Sequence, residues 1–169
     1  MSASRTGEIV RPARDSELDQ AGELCVAAYR AGGHLPDGDP YTDVLRDARA
    51  RARTADVLVL ERQGAVIGTV TVCPPGSPLA EIGLEGELEF RFLAVDPEHW
   101  GTGAGPALVD ACDELARAQA ADALVICVIS INQQAMRMYA RLGFHRLPER
   151  DWSPREGVSL LAFRRAVTS

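Results

Sequence analysis

Apolar positions change spacing several times along this chain, and each change marks an element. Ile9 to Arg11 reads as a first short strand. Behind Asp15, a residue suited to cap a helix, Leu18, Ala21, Cys25 and Ala28 recur at helical spacing. Glycines, prolines and acids then surround aromatics from Ala31 to Tyr41, which predicts a loop. A second, Arg/Ala-rich helix is expected over Thr42 to Arg53. Val57 to Glu61 and Val66 to Cys73 predict a hairpin around Gln63-Gly64, and Pro74 to Gly86 a further loop.

Glu87 to Val95 reads as a long strand that runs into the glycine turn Gly101-Thr102-Gly103-Ala104-Gly105. A helix follows from Pro106, with Leu108, Cys112, Leu115 and Gln119 along one side; proline is well tolerated in a first turn. Ala123 to Ile129 is nearly all apolar and predicts a buried strand. Asn132 is placed to cap a helix carrying Ala135, Met138, Tyr139 and Leu142 on one face, with Gly143 as its stop. Phe144 to Leu147 and Val158 to Arg164 complete the pattern as strands around a turn from Pro148 to Gly157. The order β-α-α-β-β-β-α-β-α-β-β predicts an α/β fold with a mixed sheet, in one domain over residues 1–169.

Composition narrows the partners. The net charge of −6 argues against nucleic acid. No run approaches the ~18 apolar residues that span a membrane. The N-terminus lacks the layout of a secretion signal, so a cytoplasmic location is expected. All 18 basic residues are arginine, which excludes a phosphate-loop lysine, a Schiff-base lysine and self-acylation on lysine. Cys25, Cys73, Cys112 and Cys127 form no CxxC pair and read as reduced core thiols, so no metal site is expected.

The glycine turn carries the chemistry. Glycines between a strand and a helix let backbone N–H groups crowd around an anion, and the helix dipole adds to the attraction. A dinucleotide-binding loop would read GxGxxG with an acid ~20 residues on, whereas the spacing here is GxGxG and the next strand ends in Ile129-Ser130. A Walker loop needs a lysine that this chain lacks.

Phe92-Leu93-Ala94-Val95-Asp96-Pro97, followed by Trp100-Gly101-Thr102-Gly103-Ala104-Gly105, resembles the acyl-CoA signature of the GCN5-related N-acetyltransferase (GNAT) superfamily. Asn132, Ala135, Tyr139 and Leu142-Gly143-Phe144 resemble the family's second signature. Trp100 stands where the family usually has Arg or Gln and is expected to meet the cofactor through its indole, over the pyrophosphate turn or adenine, while Pro106 removes one N–H donor. The resemblance implies a GNAT-like, mostly antiparallel twisted sheet with helices on both faces. It also implies acetyl-CoA as co-substrate, with no metal, and transfer to a primary amine of a small molecule or peptide by direct attack. Backbone N–H groups of Gly101 to Gly105 would grip the pyrophosphate, and the backbone around Leu93, Ala94 and Val95 would pair with the pantetheine arm. Homodimers are common in the family. A non-catalytic acyl-CoA sensor is the alternative.

The resemblance also suggests proton-transfer roles. An amine of pKa ~10.4 must lose a proton before it attacks. Glu89 lies where the histone-acetylating branch places its base, with Glu87 as understudy; strict alternation would put both on one face with Arg91, Leu93 and Val95. Tyr139 occupies the family's general-acid position, and Asn132 lies where an amide often meets the cofactor. Asp37, Asp39, Tyr41 and Asp43 suggest an acidic cleft border that favours a small cation, with Asp151 and Trp152 on the other wall. Free amino acids, polyamines, aminoglycoside-like drugs and peptide N-termini all remain open as acceptors. His34 and His145 carry no assigned role, and His99 is expected at the rim of the cofactor loop.

Overall fold

A computed structural model describes residues 7–168. The leader reading falls partly on residues 1–6, which with Ser169 lie outside the described residues. The strands are β1 (Glu8–Pro12), β2 (Asp56–Arg62), β3 (Ala65–Cys73), β4 (Glu87–Val95), β5 (Ala123–Ile129), β6 (His145–Arg146), β7 (Trp152–Arg155) and β8 (Val158–Ala166). They form one sheet in the order β1-β2-β3-β4-β5-β8-β6, with β7 also paired to β8. Every pairing is antiparallel except β4 with β5.

Helices cover both faces. On one, α4 (Ala104–Ala118) and α5 (Gln133–Arg141) pack Leu108, Cys112 and Tyr139 against Leu58, Leu60, Leu88 and Phe90. On the other lie α1 (Leu18–Ala31), α2 (Tyr41–Arg46) and α3 (Ala48–Ala52), which meet the intervening residues Val57 and Val59 and, further along, Phe92 and Ala94. Neither α2 nor α3 is long enough to persist alone. Leu45 and Ala48, both buried, hold them to the sheet.

Several boundaries differ from the sequence pattern for local reasons. Asp15 does not cap α1; residues Asp15–Glu17 form a 3₁₀ turn, and Glu17 Oε1 accepts the Arg14 N–H at 2.8 Å. The expected helix over Thr42 to Arg53 breaks at Asp47, whose carboxylate accepts the Ala50 N–H at 3.0 Å and starts α3. Short acids compete with helical hydrogen bonding in this way. Helix α4 begins at Ala104, two residues before Pro106, because Gly103 adopts φ +86 and serves as its N-cap. The strand expected over Phe144 to Leu147 shrinks to β6, and β7 occupies part of the expected Pro148-to-Gly157 turn. Asn132 does cap α5, its Oδ1 accepting the Ala135 N–H at 3.1 Å, and Gly143 follows the helix at φ +88.

The larger departure lies in β4. Thr69 pairs with Ala94 and Thr71 with Arg91, so Val70 faces two residues, Phe92 and Leu93. Phe92 takes φ +56 to accommodate this bulge. The expected common face is therefore wrong: the extra residue resets the alternation. Leu93 and Val95 join Leu88 and Phe90 against α4 and α5, while Glu87, Glu89 and Arg91 lie on the face of Phe92 and Ala94.

Candidate active site

Pairing between β4 and β5 ends at Glu89 with Val125, and beyond that point the strands part. Leu93 forms one wall of the opening, and Cys127, Val128 and Ile129 form the other. A groove of about 390 Å³ runs from there past Ala94 and Val95 to Trp100, Gly101, Gly103, Ala104, Gly105 and Pro106. The first N–H groups of a helix have no intrahelical acceptor, so Gly103, Ala104 and Gly105 present donors at the positive end of α4. Pro106 has no N–H to add. A Cβ at Gly105 would stand 2.8 Å from Met138 Sδ, so glycine lets α5 approach this turn.

The other members of the turn take different parts. Thr102 does not line the groove; its hydroxyl donates to the His99 carbonyl and accepts from Arg62 Nη1 at 2.8 Å. Trp100 donates its indole N–H to the Val95 carbonyl at 2.8 Å, bracing the end of β4 against the turn. That bond engages one of the backbone groups expected to meet pantetheine. His99 lines the groove.

A second cavity of about 430 Å³ continues from the first. Tyr29, His34, Leu93, Asn132, Ala135 and Met138 border both and so mark their junction. Tyr139 lines the second cavity and is only 3% exposed, its ring edge-on to Phe144 and tilted against Phe90. Burial pushes its hydroxyl well above the ordinary tyrosine value, so it stays protonated at neutral pH. Cys127, read from the sequence as a core thiol, is only partly buried and lines this cavity. Burial raises its thiol to about 12.

The carboxylates sort differently from the sequence reading. Glu89 is 1% exposed and lines neither cavity. Its oxygens accept the N–H groups of Glu81, Ile82 and Gly83 at 2.8–3.0 Å. Glu87 is likewise buried, bonded to the Leu84 N–H, Arg150 and Arg164. Glu81, which sequence reasoning passed over inside the Pro74-to-Gly86 loop, faces the cavity and pairs with Arg91 at 3.0 Å. Burial raises its carboxyl above the ordinary value; Arg91 opposes that rise and Glu89 adds to it.

Among the residues expected in the cleft, Asp39 and Tyr41 line the cavity, while Asp37, Asp43, Asp151 and Trp152 do not. Asp151 is held by Arg146 and accepts the Ala162 N–H, which makes it a brace for the last hairpin. Asp39 pairs with Arg155 at 3.2 Å and accepts the Tyr41 N–H. Each carboxylate of the wall thus has its own arginine, and the acidic border expected to draw a simple cation is already neutralised. Among the described residues no group of three or more His, Cys, Asp or Glu could hold a metal, and no helix is long and apolar enough to cross a membrane.

This combination of a split mixed sheet, a glycine turn capping a helix, and a tyrosine-bearing helix across the gap defines an acyl-transferase architecture. Residues 20–144 match the Acetyltransferase (GNAT) family, and the chain belongs to it. Over 88 residues the chain is 35% identical to human N-acetyltransferase 8B; the match covers 52% of this chain and 37% of that protein. The chain thus spans little more than a third of that relative's length. Its fold is shared with PaiA N-acetyltransferase from Thermoplasma acidophilum, solved with coenzyme A (TM-score 0.73, 12% identity, 94% of this chain and 98% of that one). The ribosomal-protein-S18-alanine N-acetyltransferase of Escherichia coli is also similar (TM-score 0.68, 15% identity, 96% and 95%).

Proposed function

We propose that this acetyltransferase moves an acetyl group from acetyl-CoA to a primary amine by direct attack, with no acyl-enzyme. The observation that carries this reading is the continuity of the two cavities through the parted strands. The pyrophosphate would meet the free donors of α4, pantetheine would lie along Leu93 and Val95, and the thioester would reach the junction beside Asn132 and Tyr139. An acceptor amine would enter from the second cavity.

The ammonium gives one proton to a base, and Glu81 is better placed for this than Glu89, whose oxygens are taken by backbone donors. The neutral nitrogen attacks the thioester carbonyl; an N–C bond forms, the C–S bond breaks, and the nitrogen sheds a second proton. Tyr139 protonates the departing thiolate and is reprotonated from solvent. The sum is an amide, a free thiol and one released proton. An unperturbed tyrosine near ~10 is a weaker acid than a thiol near ~8.5, by ~2 kcal/mol. The apolar wall that raises Tyr139 also strips water from the thiolate and raises it too, so the transfer rests on a shared environment.

Initial velocities with both substrates varied test the order of events. Direct attack predicts intersecting lines and Cys127→Ala activity within about threefold of the parent; parallel lines with an inactive Cys127→Ala would favour an acyl-thiol route. Tyr139→Phe is expected to lower kcat by ~10² with little change in acetyl-CoA affinity.

A further inference from the structure

We infer that the acceptor is a zwitterion, an amine carrying a carboxylate close to its nitrogen on a largely apolar body, such as an α-amino acid. This deepens the transfer proposed above and rests on it. The second cavity holds two carboxylates and two guanidiniums, Glu81 with Arg91 and Asp39 with Arg155, so its formal charge sums to zero with neutral histidine. A polyamine or aminoglycoside would find no unmatched acid there. A zwitterion matches the wall pair by pair, its ammonium on a carboxylate and its carboxylate on an arginine.

Two polar groups in this wall remain unspent. Arg91 uses Nε on Glu81 and Nη1 on the Leu79 carbonyl, which leaves Nη2 without an acceptor among the described residues. His34 has a buried Nδ1 with no hydrogen-bond partner, and its ring lies over Gly32, where a Cβ would come within 2.8 Å. The Arg91 guanidinium stacks 4.5 Å from the Phe92 ring centroid, on the bulged residue of β4, so its free end is held in place rather than swinging in solvent. Glu81 and Arg91 touch, so an ammonium and a carboxylate on neighbouring atoms of one acceptor can engage both. Tyr41, Val44, Val158 and Leu160 supply the apolar remainder of the cavity.

The test measures thiol release from acetyl-CoA with phenylalanine, phenylalaninamide, phenethylamine and spermidine. The expected result is a kcat/KM for phenylalanine about tenfold or more above its amide and its decarboxylated amine, with spermidine poorest. Arg91→Gln also removes the partner of Glu81 and so slows both acceptors, but the ratio of kcat/KM for phenylalanine to that for phenylalaninamide should fall about tenfold, with acetyl-CoA affinity retained as the check on folding. Equal or better turnover of the amide or the plain amine would overturn the zwitterion assignment and leave acetyl transfer standing. So would an equal loss of both acceptors in Arg91→Gln. Tight acetyl-CoA binding without turnover of any acceptor would overturn both readings.

Discussion

Glu81 and Glu89 reach the same stretch of chain, yet only one faces the cavity. Glu89 directs its charge at three consecutive backbone N–H groups and so pins the loop that aims Glu81. Removing it leaves those buried donors unmatched, so Glu89→Ala should lower stability by about 2–3 kcal/mol, read from the urea midpoint. Glu81→Gln should instead lower kcat/KM by ~10² with the midpoint little changed. Burial raises the Glu81 carboxyl above its ordinary value, and kcat/KM should fall as pH drops through that raised value. Stability runs the other way for this group. The folded state holds its proton more tightly than the unfolded chain, so the contribution from Glu81 is greatest at low pH and declines as pH rises through the folded value. An acid limb unchanged in Glu81→Gln would remove it as the base.

At the scale of elements, the helices and most strands were legible because apolar spacing reports burial, and a helix or a half-buried strand imposes a strict period. The bulge was not legible. Nothing in the residue type of Phe92 marks a positive φ; its place is set by packing, with Arg51 4.2 Å and Arg91 4.5 Å from its ring centroid. One extra residue then separates Glu89 from the face of Leu93 and Val95, where strict alternation had put it. Glu81 escaped notice because a loop has no period to betray which side chains turn inward. The glycine turn and Asn132 were readable, since φ above zero and N-capping depend on local chemistry alone. Pro106 tests that turn directly. It stands third in α4, where an N–H would have no intrahelical acceptor, so Pro106→Ala costs the helix no bond and adds one donor towards the groove. Acetyl-CoA should bind about five- to tenfold more tightly, as titration calorimetry would show. Unchanged affinity would mean that this position does not point at the pyrophosphate.

Taken as a whole, the molecule is a sheet opened part-way along its length, with β1 to β4 on one side and β5 to β8 on the other. A cleft that admits a cofactor weakens the sheet at its centre, so the closed end must hold both halves. Only three residue pairs join β4 to β5, Glu87 to Glu89 with Ala123 to Val125. Glu87 reinforces that end: from β4 its carboxylate reaches Arg164 on β8 at 3.0 Å, across the width of β5, and also Arg150. Burial alone would raise this carboxyl, but the hydrogen bonds from Arg150, Leu84 and Arg164 outweigh it and hold the group below its ordinary value. The stability it contributes is therefore complete above the unfolded value near 4.5 and is lost as pH falls through the folded one. Glu87→Gln leaves two arginines facing an amide; both are partly exposed and water screens them, so the loss should be about 1–3 kcal/mol. The urea midpoint should drop accordingly at pH 7, with the gap between variant and parent narrowing as both are taken below pH ~4. A gap that stays constant to low pH would show that Glu87 holds the two halves together by packing rather than by charge.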